Sequence, residues 1–129
     1  MEIDILNLQY SQLFLSTEKI KRVESWLTSE TFKEAPVTIR WFPWSEKPVL
    51  LDGHTRVFVA SQKGILRVPV LFDDTELEEG LEQLYQACVS WCKEVGIDSI
   101  SDFSSRILMQ EQYEIDWIGR CQSYLAKLT

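Results

Sequence analysis

The pentad Asp52-Gly53-His54-Thr55-Arg56 gathers a carboxylate, the chain's single histidine, a hydroxyl and a guanidinium around one glycine. It follows the apolar run Pro48-Val49-Leu50-Leu51 and precedes Val57-Phe58-Val59-Ala60. A strand that passes through Asp-Gly into a helix leaves the first amides of that helix without intrahelical partners. The N–H groups of Gly53, His54, Thr55 and Arg56 then point outward, and the helix dipole adds partial positive charge. Such a turn binds anions, phosphate above all. Gly53 removes a Cβ from the path of a ligand. The Thr55 hydroxyl donates, and Arg56 forks onto phosphate or carboxylate oxygens. His54 suits a proton shuttle near neutral pH or a hydrogen-bond donor. Asp52 suits a general base or a metal ligand. Asp52 and His54 are thus the candidate catalytic residues; Gly53, His54, Thr55 and Arg56 are the candidate binding set. A plainer reading stands beside this one: Asp-Gly also serves as a helix start, and Arg56 can pair with Asp52 alone.

The elements that must position this turn follow from the pattern around it. Ile3 to Leu8 reads as an edge strand. Ser16-Thr17-Glu18 reads as a helix start, with Ile20, Val23 and Leu27 on one face and an end before Pro36. Pro36 to Phe42 is β-branched and aromatic and reads as a strand. Trp44 to Lys47 reads as a turn. Pro48 to Leu51 reads as a central strand buried on both faces. His54 to Lys63 reads as a helix whose Val57, Ala60 and Ser61 face the sheet, with Phe58 on the flank and Gly64 closing it. Arg67 to Phe72 reads as a strand, placed at an edge by Pro69. Asp73 to Glu79 holds five carboxylates in seven residues; they read as the acidic first turn of a long helix that ends at Gly96, rather than as a metal site. Ser99-x-x-Asp102 resembles a capping box opening a short helix to about Leu108. Gln110 to Leu128 reads as a last helix in which Gly119 marks close packing or a bend.

The expected fold is α+β: a small mixed sheet with a strand–Gly-x-x-Arg–helix turn, followed by C-terminal helices. Residues 1–129 are expected to form a single domain, with an α/β core over 1–74 and a helical extension over 75–129 packed on it. The 129 residues suffice for one core and are too few for two. A net charge of −7, with scattered basic residues, disfavours nucleic acid and anionic membranes. The acidic start Met1-Glu2-Ile3-Asp4 is unlike a secretory leader, and no apolar run approaches the ~18 residues of a membrane span. These features read as a cytoplasmic protein. Cys88, Cys92 and Cys121 lack zinc spacing and read as buried free thiols.

Leu50 to Ala60, followed by Gly64 and Val68-Pro69-Val70, resembles the core of the ParB/sulfiredoxin superfamily. The likeness covers about Pro36 to Phe72, and loosely Ile3 to Leu27. Trp91 to Glu94 and Trp117 to Cys121 resemble the tail of small bacterial proteins of this group. ParB-type partition proteins bind CTP through a Gly-x-x-Arg region, which matches Gly53 and Arg56. The basic helix-turn-helix of those proteins is not apparent here. Sulfiredoxins carry Gly-Cys-His-Arg, so His54 stands at the cysteine's place and the reductase chemistry is not implied. Free-serine kinases of the superfamily carry Asp-Gly-His-His-Arg, from which this chain differs at Thr55. Their chemistry also uses an N-terminal acid, for which Glu18 is the nearest position; Glu18 equally suits a helix-capping acid.

The resemblance implies a nucleotide- or phosphate-binding domain, extended in one branch to small-molecule phosphotransfer or nucleotidase chemistry. The implied cofactor is a nucleoside di- or triphosphate with Mg2+. One arginine is little positive charge for phosphate; Arg40, Lys63 and Arg67 are the further basic residues weighed for the site. The alternative is a non-catalytic module of the same fold that binds a protein partner, with Trp41, Phe42 and Trp44 as contacts.

Overall fold

Alternating burial along Val37–Arg40 and Val68–Val70 turns one apolar face of a small sheet toward the helices, as period-two sequences require. The computed structural model describes residues 1–128. The strands are β1 (Glu2–Asp4), β2 (Leu15–Ser16), β3 (Val37–Arg40), β4 (Val49–Asp52), β5 (Arg67–Phe72) and β6 (Ile107–Leu108). The helices are α1 (Thr17–Glu24), α2 (Ser29–Phe32), α3 (His54–Gln62), α4 (Leu81–Glu94), α5 (Gln110–Tyr113) and α6 (Gly119–Lys127). The fold is α+β: a mixed sheet of order β1-β5-β3-β4, a parallel pair β2-β6, and C-terminal helices. In the sheet β5 runs parallel to β3 and antiparallel to β1, while β4 runs antiparallel to β3. Val37, Ile39, Leu50, Val68 and Val70 share one buried cluster with Val57, Phe58, Val59 and Ala60 of α3.

Two strands exchange the places their sequences suggest. β4 ends the sheet order instead of lying at its centre. Its apolar run is nonetheless buried, because α4 lays Val89 and Tyr85 on the Val49 side and Gln9 closes the outer edge. Gln9 donates its N–H to Pro48 O (2.9 Å) and accepts from Leu50 N–H (2.8 Å). β5, expected at an edge for its proline, is interior. Val70 donates toward β1, to Met1 O (2.9 Å), so the missing N–H of Pro69 faces β3. There it falls just before the β3 ladder begins at Val37 opposite Val70.

Ser16 caps α1 as read, its Oγ accepting the Lys19 N–H (3.4 Å). The first helical stretch breaks at Ser25, and α2 restarts on a Thr28/Thr31 capping box. The strand expected over Ile3 to Leu8 stops at Asp4, whose carboxylate accepts from Leu6 N–H and opens a 3-10 turn. In α3 the buried residues include Phe58 and Val59, and Ser61 is only half-buried. Asp73 to Glu79 lies outside α4, which starts after Gly80. Asp73 is held instead by Arg40 (3.3 Å) and by Thr75. The Ser99/Asp102 capping box forms, yet opens a 3-10 turn; Ile107 and Leu108 then pair with β2. The last helical run is interrupted by a π-helical turn over Glu114–Ile118. A Cβ on Gly119 would lie 3.4 Å from the Glu114 carbonyl oxygen, an ordinary contact, so the glycine marks the turn without being required by it. No helix among the described residues is long and apolar enough to cross a membrane.

Candidate functional site

β4 ends in Asp52, and Gly53 turns the chain at φ 114° so that α3 begins at once. That turn has no side-chain cap, and the first helical bond is Val57 N–H to Gly53 O (3.0 Å). The amides of His54, Thr55 and Arg56 therefore lack protein partners among the described residues, as an anion site requires. The turn borders a cleft of about 250 Å3 between α1, the start of α3 and Tyr113. All five residues of the pentad line it.

The missing side chain of Gly53 faces the sheet rather than a ligand. A Cβ there would lie 2.3 Å from Val37 Cγ1 and 2.8 Å from Val37 Cβ. The glycine serves the backbone turn and its packing on β3.

Arg56 is largely committed inward, its side chain 17% exposed. Nη1 donates to Ala35 O (2.7 Å) and Pro36 O (2.9 Å), and Nη2 to Asp52 Oδ2 (3.1 Å). Those carbonyls lie just before β3, beside the stretch where Pro69 of the neighbouring strand offers no donor. The guanidinium thus replaces a missing ladder bond and keeps one edge of donors for the cleft. Replacing Arg56 by lysine should cost about 1–3 kcal/mol in urea unfolding, since one ammonium cannot serve all three acceptors. An unchanged midpoint would remove the bracing role.

His54 is 2% exposed and clamped by the rings of Tyr10 (5.8 Å) and Phe103 (6.1 Å). Burial lowers its pKa to about 3, so the ring is neutral around pH 7. Nε2 accepts the Ser11 N–H (2.9 Å), which puts the single ring proton on Nδ1. Nδ1 is buried with no partner among the described residues. This environment suits a hydrogen-bonding strut between Ser11 and α3, not a proton shuttle at neutral pH. Asp52, by contrast, has a side chain 78% exposed at the cleft mouth.

The further positive charge comes from α1. Lys19 and Arg22 line the cleft together with Val23 and Trp26, a stripe at i, i+3, i+4 and i+7. Lys19 Nζ lies 3.4 Å from Tyr113 Oη and 4.6 Å from the centre of its ring. Gln12 Nε2 also donates to Tyr113 Oη (3.0 Å). Burial, then the nearby Cys121 sulfur, pushes the Tyr113 phenol up to about 12, so it stays protonated. The Arg22 guanidinium has no ion pair or hydrogen bond among the described residues. Sequence reading missed Lys19, Arg22, Trp26, Gln12 and Tyr113; the i, i+3, i+7 spacing that runs from α1 into the turn after it was the available signal for three of them.

The basic residues weighed earlier lie elsewhere. Arg40 pairs with Asp73, Arg67 with Glu2 (3.8 Å), and Lys63 Nζ donates to Glu24 O and Leu27 O beyond the end of α1. Glu18 sits in the first turn of α1 and does not line the cleft. Among the described residues no three His, Cys, Asp or Glu side chains cluster as metal ligands.

No family model matches the chain, and no curated protein matches it. Its likenesses are to solved structures. It is similar to a free serine kinase in complex with AMP, with 16% identity, 57% of this chain and 30% of that one covered, and a TM-score of 0.44. A conserved hypothetical protein from Pyrococcus furiosus is similar at 18% identity over 62% of this chain and 34% of that one, TM-score 0.46. A protein from Agrobacterium tumefaciens is similar at 17% identity over 75% of this chain and 48% of that one, TM-score 0.45. The chain thus matches between 30% and 48% of the length of these structures.

Proposed function

We propose that the cleft binds the phosphate end of a small anionic ligand, a nucleotide foremost, in a ParB-like domain. The observation that carries this reading is the uncapped start of α3 lining one cleft with Lys19 and Arg22 of α1. Free amides and two cations converge on a space of about 250 Å3, just below the roughly 300–1,000 Å3 usual for whole small-molecule sites. It takes phosphates rather than all of a nucleoside triphosphate. Thr55 and the open edge of Arg56 add donors, and Trp26 adds an aromatic flank. Mg2+ fits only as an ion brought in with phosphates: that arrangement needs one or two carboxylates, and Asp52 is exposed at the mouth. Asp52 is then the residue to activate a hydroxyl if the domain transfers or hydrolyses a phosphoryl group, with the cations stabilising the transferring charge.

The test is thermal unfolding with AMP, ADP, ATP, CTP and inorganic phosphate, each with and without Mg2+. A ligand at about 100 times its dissociation constant should stabilise by roughly 2.7 kcal/mol. Lys19→Ala combined with Arg22→Ala should weaken binding at least tenfold, since each charged hydrogen bond contributes about 1.5–3 kcal/mol. Asp52→Asn should retain binding and remove any turnover. No stabilisation by any of these at millimolar concentration would overturn the proposal.

A protein-interaction module is the second reading, favoured by one observation. Trp41 and Phe72 are 56% and 47% exposed and line the same groove, together with Glu2, Glu46 and Lys47. Such an apolar surface suits a protein partner, and the chain's net charge of −7 favours a basic one. Phe42 and Trp44 are not part of it: Phe42 is buried and the two rings stack at 4.6 Å.

A further inference from the structure

Tyr113 belongs to α5, far along the chain from the start of α3, yet it lines the same cleft. Two anchors hold α5 there. Ser16, which caps α1, donates its hydroxyl to Gln110 Oε1 at the start of α5, and β6 pairs with β2 just before it. Tyr113 is 3% exposed, so its hydroxyl is a buried polar group that needs partners.

Those partners can be assigned atom by atom. Gln12 Nε2 donates to Phe14 O (2.8 Å), which fixes the orientation of that amide. The same nitrogen therefore donates to Tyr113 Oη (3.0 Å). Lys19 Nζ, 3.4 Å from the same oxygen, can only donate. Oη thus accepts from two neighbours, while its own proton has no acceptor among the described residues. Burial first, then the Cys121 sulfur, pushes the phenol up to about 12, so that proton is present at neutral pH. A buried donor without an acceptor, on the wall of a cleft, points to a ligand that brings the acceptor.

We propose that Tyr113 is a binding residue of this cleft, and that its hydroxyl selects the dianion of a terminal phosphate monoester. The inference rests on the phosphate reading above and narrows it. Residues able to donate line the cleft from three elements: Thr55 at the start of α3, Lys19 and Arg22 on α1, and Tyr113 on α5. The carboxylate that lines it, Asp52, stands exposed at the mouth. A terminal phosphate has three unesterified oxygens, one for each of these elements. In the dianion, which prevails above about pH 6, none of them is protonated. A diester has two such oxygens and a single charge, and so leaves one element's donors unmet. Tyr113 also steers Lys19, whose ammonium lies 4.6 Å from the centre of its ring. Phenylalanine at this position keeps that aromatic face and removes only the hydroxyl.

The experiment is titration calorimetry of the full chain with AMP and with 3′,5′-cyclic AMP, which share base and sugar and differ by one ester bond. The parent should bind AMP at least about tenfold more tightly. Tyr113→Phe should fold and lose roughly ten- to a hundredfold in AMP affinity, the range for a hydrogen bond to a charged group, with little change for cyclic AMP. Equal affinity of the parent for the two ligands overturns the inference, and this comparison decides it even if the variant fails to fold. So does a Tyr113→Phe variant that binds AMP as the parent does, or one that loses both ligands equally, as a merely structural tyrosine would. In each of those cases the phosphate reading survives. No binding of AMP, of the other nucleotides or of inorganic phosphate overturns both.

Discussion

Alanine at position 53 is expected to destabilise the fold by about 3 kcal/mol or more, the largest effect of any single methyl group in the chain. Two costs add. The backbone there holds φ 114°, which an L side chain adopts only under strain. The new Cβ would also sit 2.3 Å from Val37 Cγ1, inside contact distance on a buried residue. Gly64→Ala separates the two, because its φ is 78° but nothing lies within 4 Å of its Cβ position. That variant should lose only about 1 kcal/mol. Combining Gly53→Ala with Val37→Ala should return part of the loss, since Cγ1 is gone while the Val37 Cβ contact at 2.8 Å remains. Urea unfolding checks all three. A Gly53→Ala midpoint close to the parent's would show that the turn relaxes freely and is not fixed against β3.

Acidification to about pH 4.5 should cost roughly 3 kcal/mol through His54 alone. The imidazole is neutral in the folded chain down to about pH 3, whereas in the unfolded chain it takes a proton near 6.5. Between those values the unfolded state binds more protons. The contribution is therefore complete above 6.5 and drains away as pH falls through that window, at about 1.4 kcal/mol per unit. His54→Gln keeps an acceptor for Ser11 N–H without titrating, so its stability should be flat from about pH 7 to 5. Carboxylates act lower: Asp73, held down by its Thr75 hydrogen bonds and then Arg40, and Asp102, held down by the Ser99 and Asp98 amides, lose their contribution only as pH falls into their own range. Equal pH slopes for the parent and His54→Gln would refute the assignment.

The turn from β4 into α3 was legible because its signals are local: an apolar run, Asp-Gly, then helical periodicity. The Ser16 cap and the Ser99/Asp102 box were legible for the same reason. Strand order was not, because it depends on pairings distant in the chain. The proline rule sent β5 to an edge, yet Pro69 lies where β3 has not begun and Arg56 serves the carbonyls opposite. The acidic run looked like a helix start until Arg40, thirty-three residues upstream, took Asp73. The site was half visible. Its amides could be read from the turn, but the cations that face them depend on how α1 crosses α3. A stripe of Lys19, Arg22, Val23 and Trp26 becomes meaningful only when that crossing is known.

Gln9 has a consequence for how these molecules meet one another. An open sheet normally presents two unpaired margins, each a template on which another chain can hydrogen-bond and start a fibre. Here one margin is already occupied by two backbone bonds from within the same molecule. The other belongs to a strand of three residues, two of them acidic, so a second copy arriving there meets like charge and little length. Intermolecular strand addition, the common route to insoluble assemblies, is thereby resisted at both sides of the sheet.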